Sequence, residues 1–126
     1  MTLPRPLHFA LFATLLIAWT AALLSPVPAG ATEALGEDGS FAVGKSLHVS
    51  VYAAIMVLGG TLKPMWTREG WLAAVLVTHG ALTEYFQQFV GRYMSVRDVL
   101  IDALGVFLGS AIVVVWRRRH TGMTGE

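Results

Sequence analysis

The chain has 126 residues, of which 55% are hydrophobic and 13% are charged, and it contains no cysteine. In ordinary soluble domains about a quarter of the residues are charged. The lower charged fraction of this chain, together with its mean hydropathy of +0.61, indicates an integral membrane protein with one domain over residues 1–126. A net charge of +1 gives no support for a nucleic-acid partner, and the lack of cysteine excludes disulfides and thiolate metal sites.

The first predicted membrane span covers residues 7–24, an apolar run that is long enough to cross about 30 Å of hydrocarbon. Arg5 precedes the run, and Ser25 and Pro26 end it. A basic start, an apolar run and the sequence Ala-Gly-Ala at 29–31 also describe a secretory signal with its cleavage site, so removal of this segment is an alternative. The run is longer than the usual signal core of about 7 to 15 residues, which favours a retained span.

Residues 25–44 are predicted to form an extracytoplasmic loop, because they are rich in Gly, Ala and acidic residues and show no sustained apolar period. Three further apolar runs, at 46–62, 71–90 and 96–116, are each predicted to span the membrane as a helix. Three arginines follow the last run and are expected to stop translocation of the chain across the membrane. The tail 117–126 is therefore predicted to lie in the cytoplasm. The expected fold is therefore an all-α, integral membrane four-helix bundle.

The lysine and arginine residues beside the spans predict the orientation of this bundle. If both termini are cytoplasmic, six basic residues lie inside and three lie outside, which the positive-inside rule favours. The six are Arg5, Lys63, Arg68, Arg117, Arg118 and Arg119, and the three are Lys45, Arg92 and Arg97. The start of the second helix, the end of the third and the start of the fourth then share the outer edge of the membrane.

Polar side chains recur on one face of each of these three helices, close to that edge. They are Lys45, His48 and Tyr52 on the second helix, Glu84 and Gln87 on the third, and Asp98 and Asp102 on the fourth. An ionised side chain that faces lipid costs about 2.5 to 3.5 kcal/mol, so we expect the three polar faces to turn toward one another. Arg92, in the turn before the fourth helix, is expected to join Lys45 as a second cation.

Several of these residues also have a purely structural explanation. Ser95 and Asp98 form a capping box, so Asp98 could simply begin the fourth helix, and Arg92 after a helix end suits the helix dipole. Glu84 and Asp102 lie about one turn inside their helices, beyond the reach of capping. They are therefore the strongest candidates for a shared site, with a structural ion-pair network as the alternative. We assign no metal and no cofactor from the sequence.

Gly105 and Gly109 continue the polar face of the fourth helix as a G-x-x-x-G pattern. Small residues at this spacing allow a second helix to approach closely. A homo-oligomer or a membrane-protein partner that contacts these two glycines is therefore a further expectation.

The residues assembled above resemble the VanZ-like family of small bacterial membrane proteins, named for a teicoplanin-resistance protein. The resemblance extends over nearly the whole chain, and the motifs that carry it are K-x-x-H-x-x-x-Y from Lys45, E-x-x-Q from Glu84, Gly91-Arg92, Asp98 and the glycines Gly105 and Gly109. It implies a four-helix membrane fold, a location in the bacterial inner membrane and a role in the cell envelope.

The chain departs from the family pattern at two places. Asp102 stands where the family commonly has Asn, which adds a negative charge to the cluster. Val90 precedes Gly91 where the family often has Pro, and the spacing from Gln87 to Arg92 is one residue shorter. A role inferred for a neutral amide at position 102 therefore does not transfer directly to this chain.

Three functions are open at this point. The first is an envelope factor that binds a lipid headgroup or a lipid-linked envelope precursor at the outer face, with Lys45 and Arg92 as donors, and so affects glycopeptide susceptibility. The second is an intramembrane enzyme on such a substrate, in which the cluster residues serve as acid, base or divalent-metal ligands; they are His48, Glu84, Asp98 and Asp102. The third is a structural or assembly partner of another membrane protein.

Overall fold

The computed structural model of the chain describes residues 3–26, 30–62 and 69–121. Every secondary-structure element within these residues is a helix, which confirms the all-α prediction for the part of the chain described. The helices are α1 (Arg5–Leu23), α2 (Ala31–Thr61), α3 (Glu69–Gln87) and α4 (Val96–Thr121), and a short 3-10 helix (Gln88–Val90) follows α3.

Three of the four helices, α1, α2 and α4, are long and apolar enough to cross a membrane, which indicates a membrane protein. The third helix, α3, is of similar length to α1 but is less apolar, because its 19 residues include Glu69, His79 and Glu84. Two of these three polar side chains, His79 and Glu84, contribute to the site described below.

The start of α2 differs from the prediction of a loop over residues 25–44, since the helix begins at Ala31. Gly36 kinks this segment with φ 70° and ψ 168°, a conformation that is essentially restricted to glycine. Side chains 33–38 are all exposed, so this part of the helix buries no apolar face that a sequence pattern could reveal. Residues 27–29 lie outside the described residues, and they include Ala29, the first residue of the possible cleavage site.

The other helix ends also differ from the limits of the apolar runs. The third apolar run ends in the 3-10 helix, and Gly91 closes it in the left-handed conformation with φ 78°. The fourth helix continues through the three arginines to Thr121, because a helical backbone does not have to stop where the apolar run stops. Residues 63–68 and 122–126, the predicted connection and the end of the tail, lie outside the described residues.

The contacts between the helices show that successive helices run in opposite directions. At one end, His8 Nε2 of α1 lies 3.0 Å from the carbonyl oxygen of Leu58 in α2. Arg117 of α4 donates to the carbonyl oxygen of Gly60 at the same end. At the other end, Lys45 of α2 pairs with Asp98 of α4. The helices α2 and α4 are therefore parallel, and α1 and α3 run against them.

Glycines bring α2 and α4 into backbone contact. A Cβ atom added at Gly105 would lie 2.6 Å from the carbonyl oxygen of Val49, and one added at Gly109 would lie 2.6 Å from that of Ala53. The face of α4 that carries the two glycines is thus filled by α2 of the same chain. A partner helix at these glycines would have to displace α2, and the existence of a partner stays a prediction.

Apolar side chains from all four helices form the core between the two ends. The core residues are Phe12 and Leu23 of α1, Tyr52, Ile55 and Met56 of α2, Leu72 and Leu76 of α3, and Val106 of α4. This core holds the polar faces of α2, α3 and α4 in register at the end where α1 and α3 finish and α4 begins.

Candidate functional site

A column of polar side chains runs down α2 into the interior. Lys45, His48 and Tyr52 lie on one face of this helix, and seven residues at 1.5 Å per residue separate the first from the last by about 10 Å. Each of the three contacts a polar group on another helix. The column therefore has three layers, which are described here from the surface inward.

The outer layer is the ion pair between Lys45 Nζ and Asp98 Oδ1. The backbone N–H of Asp98 donates to Ser95 Oγ at 3.3 Å, so Asp98 lies in the first turn of α4, which Ser95 caps, and pairs with Lys45 at the same time. The side chains of Lys45 and Asp98 are 23% and 15% exposed. This layer is thus the part of the column that a ligand can reach.

The middle layer is centred on Asp102, which is 0% exposed. Its Oδ1 lies 2.6 Å from Nδ1 of His48, while its Oδ2 is buried and has no hydrogen-bond partner among the residues that the structure describes. Gly80 of α3 makes room for this carboxylate, because a Cβ atom there would lie 2.9 Å from Oδ2. Buried polar atoms almost always have a partner, so Oδ2 is an exception that requires a cause.

Glu84 enters the same layer from α3 and is also 0% exposed. Its Oε1 accepts a hydrogen bond from Gln87 Nε2 at 3.2 Å, and its Oε2 accepts one from the backbone N–H of Ser95 at 3.2 Å. Both donors are neutral. Among the described residues, neither Glu84 nor Asp102 lies within ion-pair distance of a lysine or an arginine.

His48, Glu84 and Asp102 come close enough to share one ligand. Each offers a nitrogen or oxygen atom, and these atoms lie within 4.8 Å of one another. One imidazole nitrogen and two carboxylate oxygens are ligand types that zinc and other divalent transition metals accept. The same three groups can also transfer protons, since an imidazole beside a carboxylate is a common general base.

The inner layer is a chain of hydrogen bonds through His79. Thr20 Oγ1 donates to the carbonyl oxygen of Leu16 at 2.7 Å, so it accepts from His79 Nε2 at 2.9 Å. His79 Nδ1 then accepts from the hydroxyl of Tyr52 at 3.0 Å. A neutral His79 with its proton on Nε2 satisfies all these contacts. The Tyr52 hydroxyl is therefore committed to His79 and does not donate to Asp102.

Arg92 lies apart from the buried carboxylates. Its Nη1 donates to the carbonyl oxygen of Leu23 at 2.8 Å and to that of Ala22 at 3.5 Å. The last carbonyls of a helix lack partners within the helix and carry partial negative charge, which a guanidinium satisfies. The structure thus places Arg92 at the end of α1. The sequence had led us to expect it elsewhere, beside Lys45 as a second cation of the cluster.

Two residues of α1 contribute to the site that sequence reasoning missed. The ring of Trp19 packs edge-on against His48, with 5.3 Å between centroids, and against Tyr52, with 6.4 Å. Thr20 anchors His79 from the same helix. Neither residue stands out by itself in an apolar span. The sequence signal is weak: Trp19 and Thr20 are two adjacent residues with polar atoms inside the apolar run 7–24.

Comparisons of the chain with protein-family models, with curated proteins and with solved structures found no match. Its function therefore has to be inferred from the helices and the polar column themselves.

Proposed function

We propose that the chain is a VanZ-like envelope protein of the bacterial inner membrane that binds a lipid headgroup or a lipid-linked envelope precursor at the outer face. In this proposal the four helices form a transmembrane bundle with both termini in the cytoplasm. The 19 residues of α3 extend about 28 Å, which is close to the hydrocarbon thickness, so α3 can serve as the fourth span. The alternating directions of the helices support this topology.

The observation that carries the proposal is the partly exposed pair of Lys45 and Asp98 at the mouth of the polar column. A zwitterionic headgroup offers both charges of this pair. Its phosphate can replace Asp98 as the partner of Lys45, and its ammonium can replace Lys45 at Asp98. Because each ion exchanges one partner for another, the ligand does not leave a buried charge unpaired.

The aromatic side chains beside the site support a position near the membrane surface. Tyr85 and Phe86 at the end of α3 and Phe89 in the 3-10 helix that follows are exposed, and their rings pack on one another with centroids 5.6 to 6.2 Å apart. Aromatic residues concentrate where hydrocarbon meets headgroups. A lipid whose headgroup is held at Lys45 would be withdrawn from other ligands at that surface, including glycopeptides that bind lipid-linked precursors.

Headgroup binding can be measured with the purified protein and short-chain phosphatidylethanolamine as the probe. Replacement of Lys45 by Ala should weaken binding about 10-fold or more, because a hydrogen bond to a charged group contributes about 1.5 to 3 kcal/mol. Arg97→Ala is the matched control, since this cation is exposed at the same end of the molecule. Equal affinities for the wild type and the Lys45 variant would contradict the proposal. In cells, the same Lys45 variant should remove any effect of the protein on teicoplanin susceptibility.

A second candidate function is an intramembrane enzyme that acts on such a lipid, and the contact between His48 and Asp102 favours it. The carboxylate orients the imidazole, which can then take a proton from a water molecule or a substrate hydroxyl. Glu84 would serve as the second acid or base. Turnover of a phospholipid or a lipid-linked precursor that disappears in His48→Gln would support this function. No turnover by the wild type over a broad pH range would exclude it.

A further inference from the structure

The middle layer of the column carries buried negative charge that headgroup binding does not explain. Lys45 balances Asp98 in the outer layer. Below this pair, Glu84 and Asp102 are both 0% exposed, and His48 is the group beside them that can become cationic. With a neutral His48 and both carboxylates ionised, the middle layer would have a charge of minus two. Ionised carboxylates are not stable in an apolar interior unless a cation or a proton compensates them.

Asp102 Oδ2 is a second, independent reason to expect a cation in this layer. The atom is buried, and no group in the described part of the chain forms a hydrogen bond with it, although Oδ1 of the same carboxylate is bonded to His48. The hydroxyl of Tyr52, which like Oδ2 lies beside Gly80, donates to His79. An orphaned carboxylate oxygen beside two other ligand-type residues is the arrangement that a bound cation would satisfy.

We propose that His48, Glu84 and Asp102 bind one divalent transition-metal ion of the zinc class. Their ligand atoms lie within 4.8 Å of one another, which is close enough for the three residues to share one ion. A divalent cation would reduce the charge of the middle layer from minus two to zero. This site lies one layer below the headgroup site at Lys45 and does not depend on it.

The donor set selects a transition metal over calcium and magnesium. Calcium requires six to eight oxygen ligands and magnesium an octahedron of oxygens, whereas an imidazole with two carboxylates in a compact site suits zinc, manganese or iron(II). Three protein ligands also leave an open position on zinc, as in catalytic sites. A water molecule or a headgroup oxygen can fill that position.

Three helices and their neighbours hold the ligands in place. His48 comes from α2, Glu84 from α3 and Asp102 from α4. The Trp19 ring packs on the imidazole, and the backbone N–H of Ser95 orients the Glu84 carboxylate. Groups of this kind around a metal fix the orientation of its ligands and raise its affinity.

Metal content provides the direct test. The protein is purified in detergent without chelators, incubated with one equivalent of zinc and desalted. Its zinc content per chain is then measured by elemental mass spectrometry. We expect about one zinc per chain in the wild type and at least 10-fold less in His48→Gln, Glu84→Gln and Asp102→Asn. Glu37→Gln is the matched control, because this exposed glutamate lies on α2 outside the cluster, and it should retain the metal. Less than a tenth of an equivalent in the wild type, or equal zinc in Asp102→Asn and the wild type, would overturn the site.

A second measurement uses only the wild type and so does not depend on whether a variant folds. Removal of the metal with a chelator should lower the thermal unfolding temperature, and stoichiometric zinc should restore it, because a ligand that binds only the folded state stabilises it. Cobalt loaded in place of zinc should give visible absorption typical of four or five ligands. An unfolding temperature that is unchanged by chelation and by zinc would show that protons, and not a metal, neutralise the carboxylates. Headgroup binding is measured separately through Lys45, so failure of one proposal does not decide the other.

Discussion

Three glycines at the interfaces of α4 show how much the site depends on single atoms. At Gly80 the missing side chain leaves space for the Asp102 carboxylate, and at Gly105 and Gly109 it leaves space for the backbone of α2. Carbonyl oxygens cannot move aside as the end of a flexible side chain can. The close approach of α2 to α4 is what allows His48 to reach Asp102, so the packing glycines and the polar cluster are physically linked.

The same substitution at two glycines should have effects of opposite sign. A Cβ atom at position 109 would lie 2.6 Å from the Ala53 carbonyl oxygen and 2.7 Å from Met56 Cβ, so Gly109→Ala should destabilise the fold by about 1 to 3 kcal/mol. At Gly44, within α2, no atom of the described residues lies within 4 Å of such a Cβ apart from the adjoining backbone of its own helix. Gly44→Ala should therefore stabilise the fold by about 0.5 to 1 kcal/mol. The measurement is the free energy of unfolding during titration with sodium dodecyl sulfate. Two changes of the same sign would contradict this account.

Tyr52 gives a second test at the scale of one residue. Tyr52→Phe removes the donor to His79 Nδ1 and leaves a buried acceptor without a partner, which should cost about 1 to 3 kcal/mol of unfolding free energy. Tyr85→Phe is the matched control, because Tyr85 is 48% exposed and packs against Phe86 and Phe89 through its ring. If the two variants are equally stable, the hydrogen bond between Tyr52 and His79 does not contribute to the fold.

At the scale of the helices, α1 is held by polar contacts at both of its ends. His8 lies against the carbonyl oxygen of Leu58 at one end, and Arg92 donates to the carbonyl oxygen of Leu23 at the other. Between these contacts Phe12 packs where Gly59 of α2 leaves room for its ring. Because Trp19 and Thr20 reach the polar column from this helix, its attachment also determines how the column is covered.

Arg92→Ala should therefore loosen the end of α1. Loss of a cation at a helix C-terminus costs about 1 kcal/mol, which corresponds to about 5-fold faster local opening. Hydrogen exchange of the amides in residues 20–24 is the measurement. Arg97→Ala should leave this exchange unchanged, because Arg97 is exposed in the first turn of α4. Equal exchange in both variants would mean that Arg92 does not hold α1.

The helices differ in how far the sequence alone could predict them. The apolar runs locate α1 and α4 well, since burial in lipid requires a continuous run of apolar residues. Residues 31–44 form helix without any apolar pattern, and the side chains of residues 33–38 are all exposed, so no buried face marks this helix in the sequence. The spacing of Lys45 and His48, and of Asp98 and Asp102, predicts shared faces. The partner of Arg92 was not predictable, because it is a backbone carbonyl 69 residues away in the sequence.

At the scale of the whole molecule, the alternating helices separate two kinds of polar group. The buried carboxylates and Lys45 lie at the end where α4 begins, and the arginines after the fourth apolar run lie at the end where α2 finishes. Arginine and lysine beside spans remain in the cytoplasm more often than outside. In the orientation that we propose, with these arginines in the cytoplasm, the polar column would be accessible from the outer surface, and a metal in its middle layer would be loaded from that side.

This orientation can be tested with single cysteines, since the chain contains none of its own. Tyr93 is 95% exposed beside the column, Glu37 is exposed on the first part of α2, and His120 is exposed at the end of α4. In intact cells whose outer membrane has been permeabilised, a membrane-impermeant maleimide should label Tyr93→Cys and Glu37→Cys. It should label His120→Cys only after the inner membrane is opened. Labelling of positions 93 and 120 from the same side would contradict the alternating topology. Labelling of position 120 alone in intact cells would keep the topology but invert it, which would place the polar column at the cytoplasmic face and remove the basis for an outer-surface ligand.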